Sequence, residues 1–139
     1  MKTKNLESIL QSASEAEKKQ IINQIKDISF SDYIHQLLEN KQLDKAEVII
    51  ESQIPRTYAY QIFQGTKQAG RDKILQLAFA MKLNLEETNR ILTIANHAHL
   101  YAKKQRDAII IFALANSYNL METNELLEEL HHELLGTFN

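Results

Sequence analysis

The residue types best suited to recognising another molecule are concentrated between positions 53 and 73. Four cations stand there against a single acid, Asp72. These cations are Arg56, Lys67, Arg71 and Lys73. A guanidinium can donate two hydrogen bonds to one base edge, and a lysine can bind a phosphate. The chain has a net charge of −2, but salt screens distant repulsion beyond roughly 10 Å, so a local basic surface can still bind a polyanion.

The histidines do not follow a pattern typical of a metal site. His97 and His99 are two positions apart, and His131 and His132 are adjacent, so neither pair places two imidazoles on one helix face. The chain has no cysteine for a thiolate site or a disulfide. The segment GTKQAG at 65–70 lacks the order of Gly, Lys and hydroxyl of a phosphate-binding loop. We therefore expect no enzyme activity, no metal and no cofactor.

The elements that position these residues should all be helices. Apolar residues make up 44% of the chain, while Gly occurs three times and Pro once, too few for the turns of a typical sheet. The longest apolar run, at 108–115, is too short to cross a bilayer. The first 19 residues contain no apolar run of signal-peptide length. These features predict an all-α cytoplasmic protein that does not contact a membrane.

Capping residues and apolar periodicity predict the first five helices. The predicted ranges are 5–11, 15–26, 32–41, 45–51 and 55–63. Ser14 and Glu17 form a capping-box pattern, and Ser31 and Asp44 are candidate caps of the third and fourth helices. Pro55 is predicted as the first residue of the fifth helix, and Gly65 as its stop.

The remainder of the chain contains an internal repeat. Residues 71–92 and 106–127 are identical at eleven of 22 positions without a gap. Each copy reads as helix, tight turn and helix, with Asn84 and Asn119 as candidate caps. The apolar run 108–115 therefore belongs to a helix, and its composition predicts burial on most sides. An Arg-Asp pair opens each copy, so Arg71 and its equivalent Arg106 could be ion-paired within the fold.

Residues 43–64 have the pattern of a DNA-reading pair of helices. Two short helices meet at a three-residue turn, and the second carries its polar residues on one face. That outer face comprises Pro55, Arg56, Thr57, Tyr60, Gln61 and Gln64. In such modules the start of the second helix enters the major groove. A solvated helix face would look similar, and Tyr58 is expected to pack against the domain.

The stretch 50–92, IESQIPRTYAYQIFQGTKQAGRDKILQLAFAMKLNLEETNRIL, resembles the lambda-repressor-like (Cro/C1-type, XRE) helix-turn-helix family. With the preceding helix, the resemblance covers residues 31–95. It implies a five-helix core, helix 55–63 in the major groove, double-stranded DNA as ligand and a homodimer. Carried over by position, it implies base contacts from Arg56, Thr57, Tyr60 and Gln61, with Gln64 on the same face. It implies DNA-backbone contacts from Lys45, Lys67 and Arg71.

Four positions of the helix-turn-helix differ from the usual family pattern, among them Ile49, where the family usually has Ala, and Pro55, where it often has Gln. The turn has Gln53 where the family usually has Gly, and we expect a left-handed backbone there at a cost of about 1 kcal/mol. Asp44 occupies a position where the family often has Gln, and it would face phosphate unless it caps the helix.

The expected organisation has three parts, and it leaves two functions open. An N-terminal helical extension spans 1–29, the lambda-repressor-like domain 30–97, and a helical hairpin 98–139. The first function is sequence-specific DNA binding in transcription regulation. The second is a protein-interaction module that kept the fold without reading DNA, because 30–95 carries eight charges of each sign and 96–139 carries six acids against three bases. Its partner surface would be the C-terminal hairpin.

Overall fold

The computed structural model describes residues 3–136, and all regular secondary structure in that range is helical. The helices are α1 (Thr3–Ser12), α2 (Glu15–Gln24), α3 (Phe30–Asn40), α4 (Lys45–Ser52), α5 (Arg56–Gln64), α6 (Arg71–Ala80), α7 (Leu85–Ile94), α8 (Gln105–Ala115) and α9 (Leu120–Glu129). The all-α prediction is confirmed. The predicted ranges 1–29 and 98–139 include residues 1–2 and 137–139, which lie outside the described residues.

The first two helices form from local signals and bury none of their residues. Ser14 caps α2 as predicted, because its hydroxyl accepts the backbone N–H of Glu17 at 3.2 Å while the Glu17 carboxylate accepts the N–H of Ser14. Ile22 and Ile25 remain exposed on α2. Short-range hydrogen bonds thus shape this extension without a tertiary core.

The cap of α3 differs from the prediction. Ser29, rather than Ser31, accepts the backbone N–H of Asp32 at 3.0 Å and caps the helix. Ser31 lies in the first turn, and its hydroxyl donates to the carbonyl of Phe63 at 2.5 Å. The two serines are two residues apart, so the local pattern suited either one, and the contact with Phe63 at the end of α5 was not readable from it.

The connection between α4 and α5 has three residues and the expected left-handed turn. Gln53 has φ 59° and ψ 15°, the conformation that favours glycine. The side chain of Asp44 makes no capping hydrogen bond, and Pro55 is the residue before α5 rather than its first residue. Its extended ψ of 135° lies outside the helix, although its carbonyl accepts the N–H of Ala59. Gly65, at φ 82°, ends α5 as predicted.

Helix α6 lies at the centre of the fold. It packs against α4, α7 and α9, while α3 packs against α5 and α7. Seven consecutive residues, Ile74 to Ala80, are buried, which requires neighbours on all sides of the helix. Gln76 belongs to this buried run, and its amide donates to the carbonyl of Ser52 at the end of α4 (2.9 Å). One cluster of buried residues extends from Ile34 to Leu135, so the C-terminal hairpin shares the core.

The repeat folds into two equivalent hairpins, as predicted. Asn84 caps α7 and Asn119 caps α9, each in a capping box with the glutamate three residues later. Helix α8 is buried or half-buried on most sides, as predicted, but it is less enclosed than α6 because Gln105, Phe112 and Ala115 are exposed on one side. Phe112 is 50% exposed, although its equivalent in α6, Leu77, is fully buried. Helix α4 packs on α6, and within residues 3–136 no helix covers Phe112 in the same way.

Candidate nucleic-acid interface

Helix α5 presents a polar face opposite a buried one. Its inner residues Ala59, Ile62 and Phe63 are buried, at spacings of three and four that bring them onto one face. The outer residues are Arg56, Thr57 and Gln64, which are exposed, and Tyr60 and Gln61, which are half-buried. The structure therefore brings the five predicted residues of this helix to one surface.

Tyr60 lies between two cations from different helices. The Lys45 Nζ is 5.8 Å from the centroid of the Tyr60 ring, and the Arg56 Cζ is 5.7 Å from the same centroid. Lys45 is the first residue of α4, and packing of α4 on α5 brings it here. Each cation–π contact of this kind contributes about 0.5–1 kcal/mol at an exposed site. We call Lys45, Arg56 and Tyr60 the Tyr60 cluster.

A second tyrosine of α5 is arranged in the same way. The Lys67 Nζ lies 5.8 Å from the centroid of the Tyr58 ring, and the Lys73 Nζ lies 5.1 Å from it. Lys67 comes from the connection after α5, and Lys73 from the first turn of α6. We call these three residues the Tyr58 cluster. Cations from α4, α5, α6 and a loop thus converge on two rings of one short helix.

Three cations of the two clusters form no ion pair within residues 3–136, a property they share with lysines elsewhere, such as Lys82 and Lys103. These three are Lys45, Arg56 and Lys67, whereas Lys41 pairs with Glu87 at 3.1 Å. The surface around α5 therefore has positive charge that carboxylates do not neutralise locally. Such a surface attracts polyanions at moderate ionic strength.

Arg71, a predicted backbone contact, has a different set of partners. Its guanidinium donates to both carboxylate oxygens of Asp107 at 3.0 and 2.9 Å, and to the carbonyls of Ala98 and His99. Burial alone would raise the pKa of Asp107, but hydrogen bonds from Arg71 and from the backbone N–H of Tyr101 hold that pKa below its ordinary value. Arg71 joins two parts of the fold, so we leave it out of the interface.

The sequence did not identify the pairing of Tyr58 with two lysines. Tyr58 was expected to pack, and it is half-buried, but Lys67 and Lys73 are nine and fifteen residues away from it. No periodic spacing signals a contact made by a loop and the next helix. The only available indication was the basic window itself, which contains both lysines.

Two histidines at equivalent positions of the repeat, His97 and His132, have different protein partners. The His97 Nε2 is 2.8 Å from the carbonyl of Ala69, and the His132 Nε2 is 3.2 Å from the side-chain oxygen of Gln105. No group of three or more His, Asp and Glu suited to a metal ion occurs in the part of the chain that the structure describes. Over the same residues, no helix combines the length and apolar character needed to cross a membrane.

Comparisons with protein-family models, with curated proteins and with solved structures found no match.

Proposed function

We propose that this protein is a sequence-specific DNA-binding regulator of transcription, with a lambda-repressor-like helix-turn-helix formed by α4 and α5. The observation that supports it best is the surface of α5. This helix combines an exposed polar face with Lys45 and Lys67, which lie beside its two tyrosine rings and form no ion pair within the described residues. The succession from α3 to α7 also agrees with the five-helix core that the sequence resemblance implies.

In this proposal α5 lies in the major groove and its first turn reads bases. Arg56 and Thr57 are exposed at the start of α5, where the preceding Pro55 supplies no side-chain cap to the free N–H groups. Arg suits guanine and Thr can reach a base or the thymine methyl, while Gln61 and Gln64 suit adenine. Lys45 and Lys67 flank the helix, where the phosphates would pass. The protein acts as a homodimer on a two-part site.

A second function has an observation of its own. The C-terminal hairpin exposes Phe112 and Met121 while 96–139 carries a net negative charge. A contiguous apolar surface of this kind is typical of a protein-binding site. The protein would then be an interaction module with a repressor-like fold, and DNA would not be its ligand.

The experiment is selection of bound duplexes from a random-sequence DNA pool, followed by fluorescence anisotropy with the enriched duplex and a scrambled one at several salt concentrations. A regulator should prefer the enriched site, and log affinity should fall linearly with log salt. Arg56→Ala should cost about 1–3 kcal/mol and relax specificity at one position. Lys67→Ala should weaken both duplexes and reduce the salt slope by about 1.

Lys19→Ala is the matched control, because Lys19 is an exposed cation on α2, a helix that buries none of its residues and belongs to neither cluster. It should bind the enriched duplex like the parent. Failure of the selection to enrich any sequence, with equal weak binding to all duplexes, would contradict the regulator and favour the interaction module.

A further inference from the structure

Helix α8 exposes an apolar face that α6, its equivalent in the repeat, keeps covered. The four positions 108, 111, 112 and 115 lie on one side of α8, since they recur at helical spacing. Phe112 is 50% exposed and Ala115 is also exposed. The matching residues in α6, Leu77 and Ala80, are buried because α4 packs there. We call Ala108, Ile111, Phe112, Ala115 and the adjoining Tyr118 the α8 face.

The α8 face carries no charged side chain of its own, and its members Ala108, Ile111 and Tyr118 are half-buried beside the exposed Phe112 and Ala115. The rings of Phe112 and Tyr118 meet edge to face, with centroids 5.7 Å apart, so the patch extends beyond the end of α8. No Asp, Glu, Lys, Arg or His occurs from Ala108 to Met121. In the first copy, by contrast, the position of Ile111 is occupied by Gln76, which hydrogen-bonds to α4. The second copy thus has apolar side chains where the first has a specific polar contact.

Opposite charges flank the two ends of this face. Lys103 and Lys104 come directly before α8, whereas Glu122 and Glu125 lie in the first turns of α9, directly after it. If a second copy packs with its α8 antiparallel, the cations of one copy approach the acids of the other. The helix dipoles favour the same orientation, because each positive end then meets a negative end. A parallel arrangement would place like charges together.

We infer that the α8 face is the contact surface between two copies of this chain, packed about a twofold axis with the two α8 helices antiparallel. The axis passes between Ile111 and Phe112, so that Ala108 of one copy faces Ala115 of the other. The small alanines allow close approach of the helices, and Phe112 of each copy fills the space beside the axis. A surface that contacts itself about a twofold axis requires this kind of self-complementarity. This supplies the interface of the homodimer in the proposed function, yet its test uses no DNA.

The first experiment measures self-association of the full chain by sedimentation equilibrium. The parent should dimerise, and Phe112→Glu should raise the dissociation constant at least about 100-fold, because the dimer would bury an unpaired carboxylate from each copy. Ile22→Glu is the matched control, since Ile22 on α2 is an apolar residue with an exposure (56%) similar to that of Phe112 (50%). It should leave the dissociation constant unchanged. Circular dichroism should show the parent's helix content in both variants.

The second experiment tests the orientation by cross-linking and exploits the absence of cysteine from the chain. Ala108→Cys and Ala115→Cys proteins, one of them carrying a size tag, are oxidised alone and as a mixture. A disulfide needs Cα atoms within about 7 Å, so an antiparallel pair should form mixed cross-links at least about tenfold faster than either protein links to itself. Adding Phe112→Glu to both proteins should abolish the mixed product.

Several outcomes would overturn the inference. The inference is wrong if the parent chain stays monomeric at high concentration. It is also wrong if the dimer persists in the Phe112→Glu variant. Dissociation by Ile22→Glu alone would assign the interface to the N-terminal helices. Self-linking of Ala108→Cys in place of mixed linking would exclude the antiparallel orientation. None of these results depends on DNA binding, so failure of the proposed function and failure of this interface can be told apart.

Discussion

Two regions of the molecule, residues 71–100 and 106–135, have the same local structure and different surroundings. Beyond the identities in 71–92, the copies also share His97/His132 and Leu100/Leu135. In each copy the turn between the two helices contains one residue with a left-handed backbone. This residue is Lys82 (φ 56°) in the first copy and Ser117 (φ 57°) in the second. The first copy is covered by α4, and the second keeps one apolar face exposed.

The same hydrogen bonds close both copies. Asn89 accepts the backbone N–H of Leu100 at 2.8 Å, and Asn124 accepts that of Leu135 at 2.7 Å. Arg71 donates to carbonyls 27 and 28 residues later in its copy, and Arg106 does the same in the second. The repeated residues therefore encode a 30-residue unit, eight residues longer than the repeat found in the sequence.

The copies are also joined to each other by two crossed ion pairs. Arg71 of the first copy pairs with Asp107 of the second at 2.9 Å, and Arg106 of the second pairs with Asp72 of the first, also at 2.9 Å. The Asp107 side chain is only 6% exposed, whereas that of Asp72 is 43% exposed. Equivalent residues thus stand in different dielectric surroundings. The comparison shows that a repeated sequence repeats its local bonds, while its energetics depend on the neighbours.

The largest expected difference in stability is between alanine substitutions at the equivalent residues Leu77 and Phe112. Leu77→Ala should lower the free energy of unfolding by about 3–4 kcal/mol, because it leaves a cavity in a closed core. Phe112→Ala should cost less than about 1.5 kcal/mol in dilute protein, since half of the side chain already contacts solvent. Urea denaturation of both variants measures the difference. Equal losses would mean that α8 is as enclosed as α6.

The next largest difference is between the contributions of the two ion pairs to the free energy of unfolding. Asp107→Asn should destabilise the protein by about 2–3 kcal/mol, because it leaves the partly buried Arg71 without a charged partner. Asp72→Asn should cost about 1 kcal/mol or less, since solvent screens that pair. Chemical denaturation near neutral pH provides the measurement. A larger loss from Asp72→Asn would reverse the assignment of the buried pair.

The Asp107 pair should also show a characteristic pH dependence. The folded-state pKa of Asp107 lies below its unfolded value of about 3.9, so the pair stabilises the protein fully above that value. This contribution is lost as the pH falls through the folded-state pKa. The stability difference between the parent and Asp107→Asn should therefore be constant above about pH 5 and shrink below about pH 4. A difference that does not change down to pH 3 would contradict this prediction.

The smallest difference in stability loss between the two copies is expected for substitutions of the helix caps. Asn84→Ala and Asn119→Ala should each cost about 1 kcal/mol, because each asparagine accepts the N–H of the third helical residue at 2.8 Å. The two losses should agree within about 0.5 kcal/mol, as both capping boxes are complete and both asparagines are exposed. Thermal denaturation of the two variants side by side tests this. A clear inequality would show that even these bonds depend on tertiary surroundings.

Several features of the candidate site could be predicted from the sequence. Helix α5 and its end at Gly65 follow from local residue patterns, whereas the left-handed turn at Gln53 was expected from the family resemblance, and the structure contains all three. The convergence of Lys45 on Tyr60 could not be predicted in the same way, because it requires packing of α4 on α5. The contact of Lys73 with Tyr58 spans fifteen residues and was missed for the same reason.

The sequence by itself determined the helices, most of their caps and the repeated unit, because these depend on hydrogen bonds and side-chain spacing within a few residues along the chain. Only the tertiary structure decided which of two similar helices is enclosed and which arginine is held by a carboxylate. Arg71 and Arg56 both lie in the basic window, yet one donates to Asp107 36 residues away and the other contacts Tyr60 on its own helix. Burial and pairing depend on elements that meet only after folding, and a local pattern does not carry that information.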